Sequence, residues 1–145
     1  MIVIDANLLL YAVNSAAVHH AKARAWVDGR LSATEAVGFA WPVILAFLRI
    51  ATHPALFPRP LSLELAVEKM RLWLAQPAAR ILDPSAEFWD TFARLIRSSQ
   101  SRGNLIQDAH LAALAVEHGA TLYSSDEDFS RFPNLKWVNP LAGGN

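Results

Sequence analysis

Ile2-Val3-Ile4-Asp5-Ala6-Asn7-Leu8-Leu9-Leu10 reads as a short apolar strand that ends in an acid and gives way at once to a helix. Continuous apolar character over residues 1–5 is the mark of a strand buried on both faces, as in a parallel sheet. Asn7 is the expected cap of a helix over Leu8 to Val13. Downstream, a second helix is expected from His19 to Val27, closed by Asp28-Gly29, and a third from Trp41-Pro42 to Thr52, with proline in its first turn. The proline-rich stretch His53 to Pro60 is a loop, after which Ser62 opens an amphipathic fourth helix that ends near Gln76-Pro77. Arg80 to Leu82 reads as a strand, Ser85 as the cap of a fifth helix through Ser98, and Asn104 to His118 as a sixth helix closed by Gly119. Thr121 to Tyr123 and Lys136 to Val138 complete the strands. Strands alternating with helices predict an α/β fold with a central parallel sheet. The expected domain is one unit over residues 1–141, followed by a loose tail, 142–145.

The composition agrees with a single core. At 145 residues the chain has the usual size of one domain. Its apolar fraction of 53% is high and its charged fraction of 18% low, so some apolar surface is expected to meet a partner. No apolar run reaches the ~18 residues of a membrane span, and Met1-Ile2-Val3-Ile4-Asp5 carries no basic leader; the expected location is the cytoplasm, with no membrane partner. Without cysteine, metal ligands can come only from carboxylates and histidines, which favours hard cations. Thirteen basic residues balance thirteen acidic ones, so net charge leaves no basic footprint for nucleic acid. Arg24, Arg49, Arg59, Arg94, Arg97 and Arg102 are available to rim an acidic pit.

Three acids stand where a parallel sheet places its chemistry. Asp5 and Asp126 follow short apolar strands, and ligands bind outside the carboxyl ends of such strands. Asp108 lies in the first turns of the sixth helix. Converging carboxylates repel one another, and a hard cation such as Mg²⁺ or Mn²⁺, bound through oxygen, removes that repulsion and can drive phosphodiester hydrolysis. Singly, each acid also has an ordinary explanation as a cap, a helix-dipole partner or a turn residue.

Ile2 to Leu10, Asp108-Ala109-His110-Leu111-Ala112-Ala113-Leu114-Ala115 and Ser124-Ser125-Asp126-Glu127-Asp128-Phe129 together resemble the three signature blocks of PIN-domain nucleases, in the same order. The resemblance extends over essentially the whole chain and is greatest to VapC-type toxins of bacterial type II toxin–antitoxin pairs. It implies a three-layer α/β/α fold and a Mg²⁺- or Mn²⁺-dependent endoribonuclease that cleaves RNA, works as a homodimer and is inhibited by a small VapB-like antitoxin. By matching blocks, Asp5, Asp108 and Asp126 are the implied catalytic and metal-binding acids, Asp128 an outer metal candidate, and Asn7 and Ser125 supporting polar residues. One departure stands out: such nucleases usually carry a glutamate on the third helix, and here Ala46 occupies the expected place within Leu45-Ala46-Phe47-Leu48-Arg49.

Other features are weighed singly. Arg49, three positions after Ala46, shares its side of the helix and is a candidate RNA contact. His19-His20 cannot share a helix face and are expected at the surface without a role. His110 is expected to be a hydrogen-bonded structural histidine pointing away from Asp108. Trp26, Trp73 and Trp89 fall in apolar helical patterns and are expected in core or interface packing; Trp41 is unassigned. Two other functions compete. A strand ending in Asp also introduces aspartate-based phosphatases of the haloacid dehalogenase kind, but those need Asp-x-Asp and a lysine, and Asn7 stands at the second position. The missing glutamate and the apolar surplus would suit a catalytically impaired RNA- or protein-binding module.

Overall fold

The computed structural model describes residues 1–143. Five strands form one sheet: β1 (Ile2–Ile4), β2 (Val37–Ala40), β3 (Ala79–Leu82), β4 (Thr121–Tyr123) and β5 (Lys136–Val138). Six helices connect them: α1 (Ala6–Val13), α2 (His20–Leu31), α3 (Trp41–Ala51), α4 (Leu63–Leu74), α5 (Phe88–Ser99) and α6 (Leu105–Glu117), with a 3₁₀ turn at Glu127–Arg131. All neighbouring strands are parallel, in the order β3-β2-β1-β4-β5. The α/β fold with a central parallel sheet is as expected, with helices around the sheet.

The strand order fixes where a site can form. From β1 the chain steps outward to β2 and β3, then returns to place β4 on the other side of β1. Right-handed crossovers in opposite directions send α1–α4 and α5–α6 to opposite faces of the sheet. At the β1/β4 boundary the connections diverge and open a crevice above the strand ends. Register pairs Ile4 with Tyr123, so Asp5 and Ser124 leave the sheet side by side at that boundary.

One apolar cluster runs through the molecule. Val3, Leu8, Leu9, Phe39, Phe47, Leu114 and Leu122 are fully buried, and β1 is buried along its length, as its sequence predicts. Strand β2 is an element that sequence patterning does not find. Val37-Gly38-Phe39-Ala40 is broken by a glycine and runs straight into α3, whose cap Ala40 makes no side-chain hydrogen bond, so no turn residue announces the boundary. Gly38 keeps this approach close: a Cβ there would lie 2.5 Å from Leu82 Cδ1 on β3, and that side chain would have to shift.

Several boundaries differ from expectation. The cap of α1 is Asp5, whose carboxylate accepts from Ala6 N–H at 2.7 Å, so the helix begins before Asn7. Helix α2 continues through Gly29 to Leu31, because Val27 and Leu31 are both buried and carry the helix past the glycine. Helix α5 starts at Phe88, not after Ser85, whose hydroxyl and N–H instead bind the Glu117 carboxylate at the far end of α6. At the C-terminal end, Leu141 is buried and Ala142 N–H donates to Asn139 C=O; residues 144–145 of the expected tail lie outside the described residues.

Candidate functional site

Asp5 ends β1 and begins α1 in extended backbone, which aims its carboxylate at the crevice and at the helix N-terminus. Both oxygens are engaged. Oδ1 accepts from Ala6 N–H; Oδ2 accepts from the Ser124 hydroxyl at 2.6 Å and from Asn7 Nδ2 at 3.3 Å. Burial nevertheless pushes its pKa above the usual carboxylate value, against the pull of the Ser124 and Ala6 hydrogen bonds, and the neighbouring Asp126 charge adds to the rise.

Ser124 is the hinge of this arrangement and was not singled out from sequence. It is fully buried, donates to Asp5, accepts from Asn7 Nδ2 at 3.1 Å and accepts from Asp126 N–H at 3.0 Å. One hydroxyl therefore ties the end of β1 to the segment after β4. The readable signal was strand alternation: Leu122 and Ser124 share the buried side, and Ser125, the residue chosen from sequence, points the other way. Ser125 contributes its backbone N–H, which donates to Asn7 Oδ1 at 3.3 Å. Asn7 thus bridges both strand ends and does not cap a helix.

Asp126 caps the 3₁₀ turn, accepting from Asp128 N–H at 2.9 Å, and Asp108 reaches the same place from the first turns of α6. One carboxylate oxygen each from Asp108, Asp126 and Asp128 lie within 4.8 Å of one another. Asp5 is not in that closest group but is near enough for its charge to act on Asp108. The Asp108 pKa is pushed up to about 6 by burial and then by the charges of Asp126, Asp5 and Asp128, with Arg131 opposing. Four acids therefore converge at the strand ends, and Asp128, the outer candidate, belongs to the closest group with Asp108 and Asp126. Arg131, on the same 3₁₀ turn, is a cation beside the acids that sequence reading did not mark.

An all-oxygen donor set that resists its own ionisation fits a hard divalent cation: Asp108, Asp126 and Asp128 offer the nearest ligand atoms, with Asp5 beside them. Ala46 lies on the face of α3 with Pro42, Leu45 and Arg49, and lines a groove of about 600 Å³ shared with Gln107, the neighbour of Asp108. Arg49 is exposed on that groove and makes no ion pair among the described residues.

Other sequence expectations are resolved as follows. His110 is not hydrogen-bonded as expected: it packs against Phe88 and Phe92, and its Nδ1 is buried without a partner, because the rings of α5 fill the space where an acceptor would stand. His19 is exposed just before α2, while His20 is half-buried, with its Nδ1 2.9 Å from Tyr11 C=O. Trp73 is in the core and Trp26 half-buried, but Trp89 is 68% exposed and belongs to no core; Trp41 is exposed also. The arginines named as a rim are all exposed.

A parallel sheet with four acids at its switch point could hold a cation through oxygen ligands, and the comparisons give the chain a family. The PIN domain profile matches residues 2–135. The chain is 48% identical to ribonuclease VapC37 of Mycobacterium tuberculosis over 142 residues, 98% of this chain and 99% of that one. It is 37% identical to ribonuclease VapC48 of the same species over 96% of this chain and 97% of that one. This chain belongs to the PIN-domain family, and it is similar to VapC ribonucleases almost end to end. The fold is also that of VapBC2 from Rickettsia felis, solved bound to a promoter DNA fragment, with TM-score 0.72 and 21% identity over 96% of this chain and 98% of that one. Mycobacterium tuberculosis VapC20, a sarcin-ricin loop cleaving toxin, matches with TM-score 0.66 and 19% identity over 94% and 98% of the two chains.

Proposed function

We propose that this protein is a Mg²⁺- or Mn²⁺-dependent endoribonuclease toxin whose acids are Asp5, Asp108, Asp126 and Asp128. The observation that carries the reading is the acid cluster at the β1/β4 crevice, where burial and then the neighbouring carboxylates raise the Asp108 pKa. Similarity to VapC ribonucleases over nearly the whole chain supports RNA as the substrate. A divalent cation bound there supplies positive charge to the scissile phosphate and makes the attacking water more acidic.

The chain's own groups do the rest. Asp108, Asp126 and Asp128 hold the cation, and Asp5 adds negative charge at the inner wall. Ser124 and Asn7 fix the Asp5 carboxylate so that it costs no reorganisation as charge develops. Arg49 and Arg131 are the nearby cations suited to hold the RNA backbone. Asn7, with its amide spent on Asp5 and Ser124, cannot serve as the second acid of an aspartate-based phosphatase.

The reading extends to partners. Residues 1–141 act as one PIN-like domain. Exposed Leu63, Leu65, Val67 and Leu72 on α4, with Trp89 on α5, supply the apolar surface for a homodimer. A small VapB-like antitoxin bringing a basic side chain into the acid cluster would inhibit by charge.

Purified protein incubated with single-stranded RNA is expected to cut it with Mg²⁺ or Mn²⁺ and to stop in EDTA, and Asp5→Asn is expected to lose the activity. Hydrolysis of phosphomonoesters without RNA cleavage would favour the phosphatase. RNA binding without cleavage at any metal concentration would favour the binding module.

A further inference from the structure

We propose that Arg131 holds the scissile phosphodiester, its guanidinium gripping the non-bridging oxygens on the outer side of the acid cluster. The proposal rests on the ribonuclease reading for its substrate, and it sets Arg131, at the bond that is cut, apart from Arg49 on α3.

The 3₁₀ turn Glu127–Arg131 aims the side chain. Phe129 N–H donates to Asp126 C=O and Phe132 N–H to Phe129 C=O, the three-residue spacing of such a helix. Side chains three apart therefore stand in columns, separated by about 6 Å along the axis. Phe129 and Phe132 form one column; both are buried and their rings pack together, which fixes the rotation of the turn against the core. Asp128 and Arg131 form the next column, and both are exposed. A carboxylate oxygen of Asp128 lies in the closest group with Asp108 and Asp126. Arg131 thus stands one turn further along the side that meets the acids.

Charge leads to the same place. Arg131 is the one cation among the described residues whose charge acts on Asp108, where it opposes the rise caused by burial and by Asp126, Asp5 and Asp128. It makes no ion pair among the described residues. A guanidinium placed only to neutralise the acids would be paired with one of them; this one acts across a gap that leaves room for a third group. That group must be an anion to suit Arg131. A phosphodiester fits, because its single negative charge is spread over two non-bridging oxygens, which the flat guanidinium fork can take in two hydrogen bonds. In hydrolysis the water oxygen bonds to phosphorus, the bond to the leaving ribose oxygen breaks, and a proton passes to that oxygen. Negative charge that grows on the phosphoryl oxygens is met by a donor already in place. Arg49 lacks this position: it lines the α3 groove, and its charge does not act on Asp108.

The test uses the full chain carrying Asp108→Asn, in which cleavage is slowed under the proposed function, with Mn²⁺ present. Its probes are single-stranded RNAs in which one phosphate at a time is replaced by a neutral methylphosphonate. At the bond that the natural chain cuts, replacement is expected to cost about ten-fold in affinity, as loss of a charged hydrogen-bond pair would give. Adding Arg131→Ala should shrink that cost to about two-fold, Arg131→Lys should keep part of it, and Arg49→Ala should leave it in place. Calorimetry without RNA reads the same charge independently of turnover. Removing a cation beside the acids should tighten Mn²⁺ binding by about three-fold in Arg131→Ala, and Arg131→Lys should restore the natural value. Unchanged or weaker Mn²⁺ binding in Arg131→Ala would make the residue a structural support or a bystander and would overturn the proposal. An equal methylphosphonate cost with and without Arg131 would overturn it too, while leaving the ribonuclease reading intact. So would a cost that depends on Arg131 only at a phosphate other than the one cut. Dependence on Arg131 at one phosphate, in a protein whose natural chain cuts no RNA, would uphold the phosphate contact and remove the ribonuclease reading.

Discussion

The Ser124 hydroxyl joins Asp5, Asn7 and the Asp126 backbone, and its effects can be separated from those of the acids it orients. Ser124→Ala would leave Asp5 Oδ2, Asn7 Nδ2 and Asp126 N–H each short of a bond in a buried place. We expect a loss of about 1–3 kcal/mol in unfolding free energy, read by denaturant titration, together with a fall in cleavage rate. Asp108 behaves oppositely toward stability. Its folded pKa of about 6 lies above the model-peptide value, so without metal its ionised form disfavours the native state. The stability it contributes is present below pH 4 and is lost as the pH rises through 6. Asp108→Asn should therefore raise the Tm of the metal-free protein at pH 7.5, and the gain should vanish by about pH 4. His110, whose pKa is lowered by burial, acts in the opposite direction over part of this window, but it is common to both proteins and cancels in the difference. A constant Tm difference from pH 4 to 8 would contradict the assignment of repulsion at Asp108.

Strands β1 and β4 place the site, and the sequence announces them to different degrees. The buried run Ile2-Val3-Ile4 and the acid after it are plain from apolar continuity, and so is Asp126 after Thr121-Leu122-Tyr123. Less of the site is legible where a role depends on which way a side chain turns. Asn7 was read as a cap because its type suits one, but Asp5 is a stronger acceptor and stands one residue before the helix. Ser124 and Ser125 are chemically identical, and only the pleat decides between them. Strand β2 was hidden because Gly38 weakens its pattern and α3 follows with no turn, although that glycine is what allows β2 and β3 to approach. Gly38→Ala should cost about 1–3 kcal/mol through crowding against Leu82, and the loss in the double variant with Leu82→Ala should be less than the sum of the two single losses. Additive destabilisation in the double variant would show that the contact does not govern this position. Ala46→Glu tests the expected ligand place on α3: if a carboxylate from that helix reaches the cation, Mn²⁺ binding by calorimetry should tighten. An unchanged affinity would mean that Ala46 belongs to the groove alone.

At the scale of the whole molecule, a neutral chain with an acidic crevice is an unusual partner for RNA, since phosphate binding ordinarily leaves a basic footprint. A bound divalent cation would offset part of that negative charge, and a dimer formed through α4 and α5 would combine the exposed arginines of two copies. Light scattering is expected to give twice the mass of one chain, falling on dilution, and Leu65→Glu on α4 should lower it to the monomer. No helix of the described residues is long and apolar enough to cross a membrane. The central claim remains that convergent carboxylates hold a cation that cuts RNA. It is tested most directly by RNA cleavage measured against Mn²⁺ concentration for the natural chain and for Asp108→Asn, purified side by side. The account predicts saturable Mn²⁺ dependence in the first and a rate lower by about a hundred-fold or more in the second, equivalent to roughly 3 kcal/mol of transition-state stabilisation. Equal cleavage by both proteins, or cleavage that persists in EDTA, would contradict it.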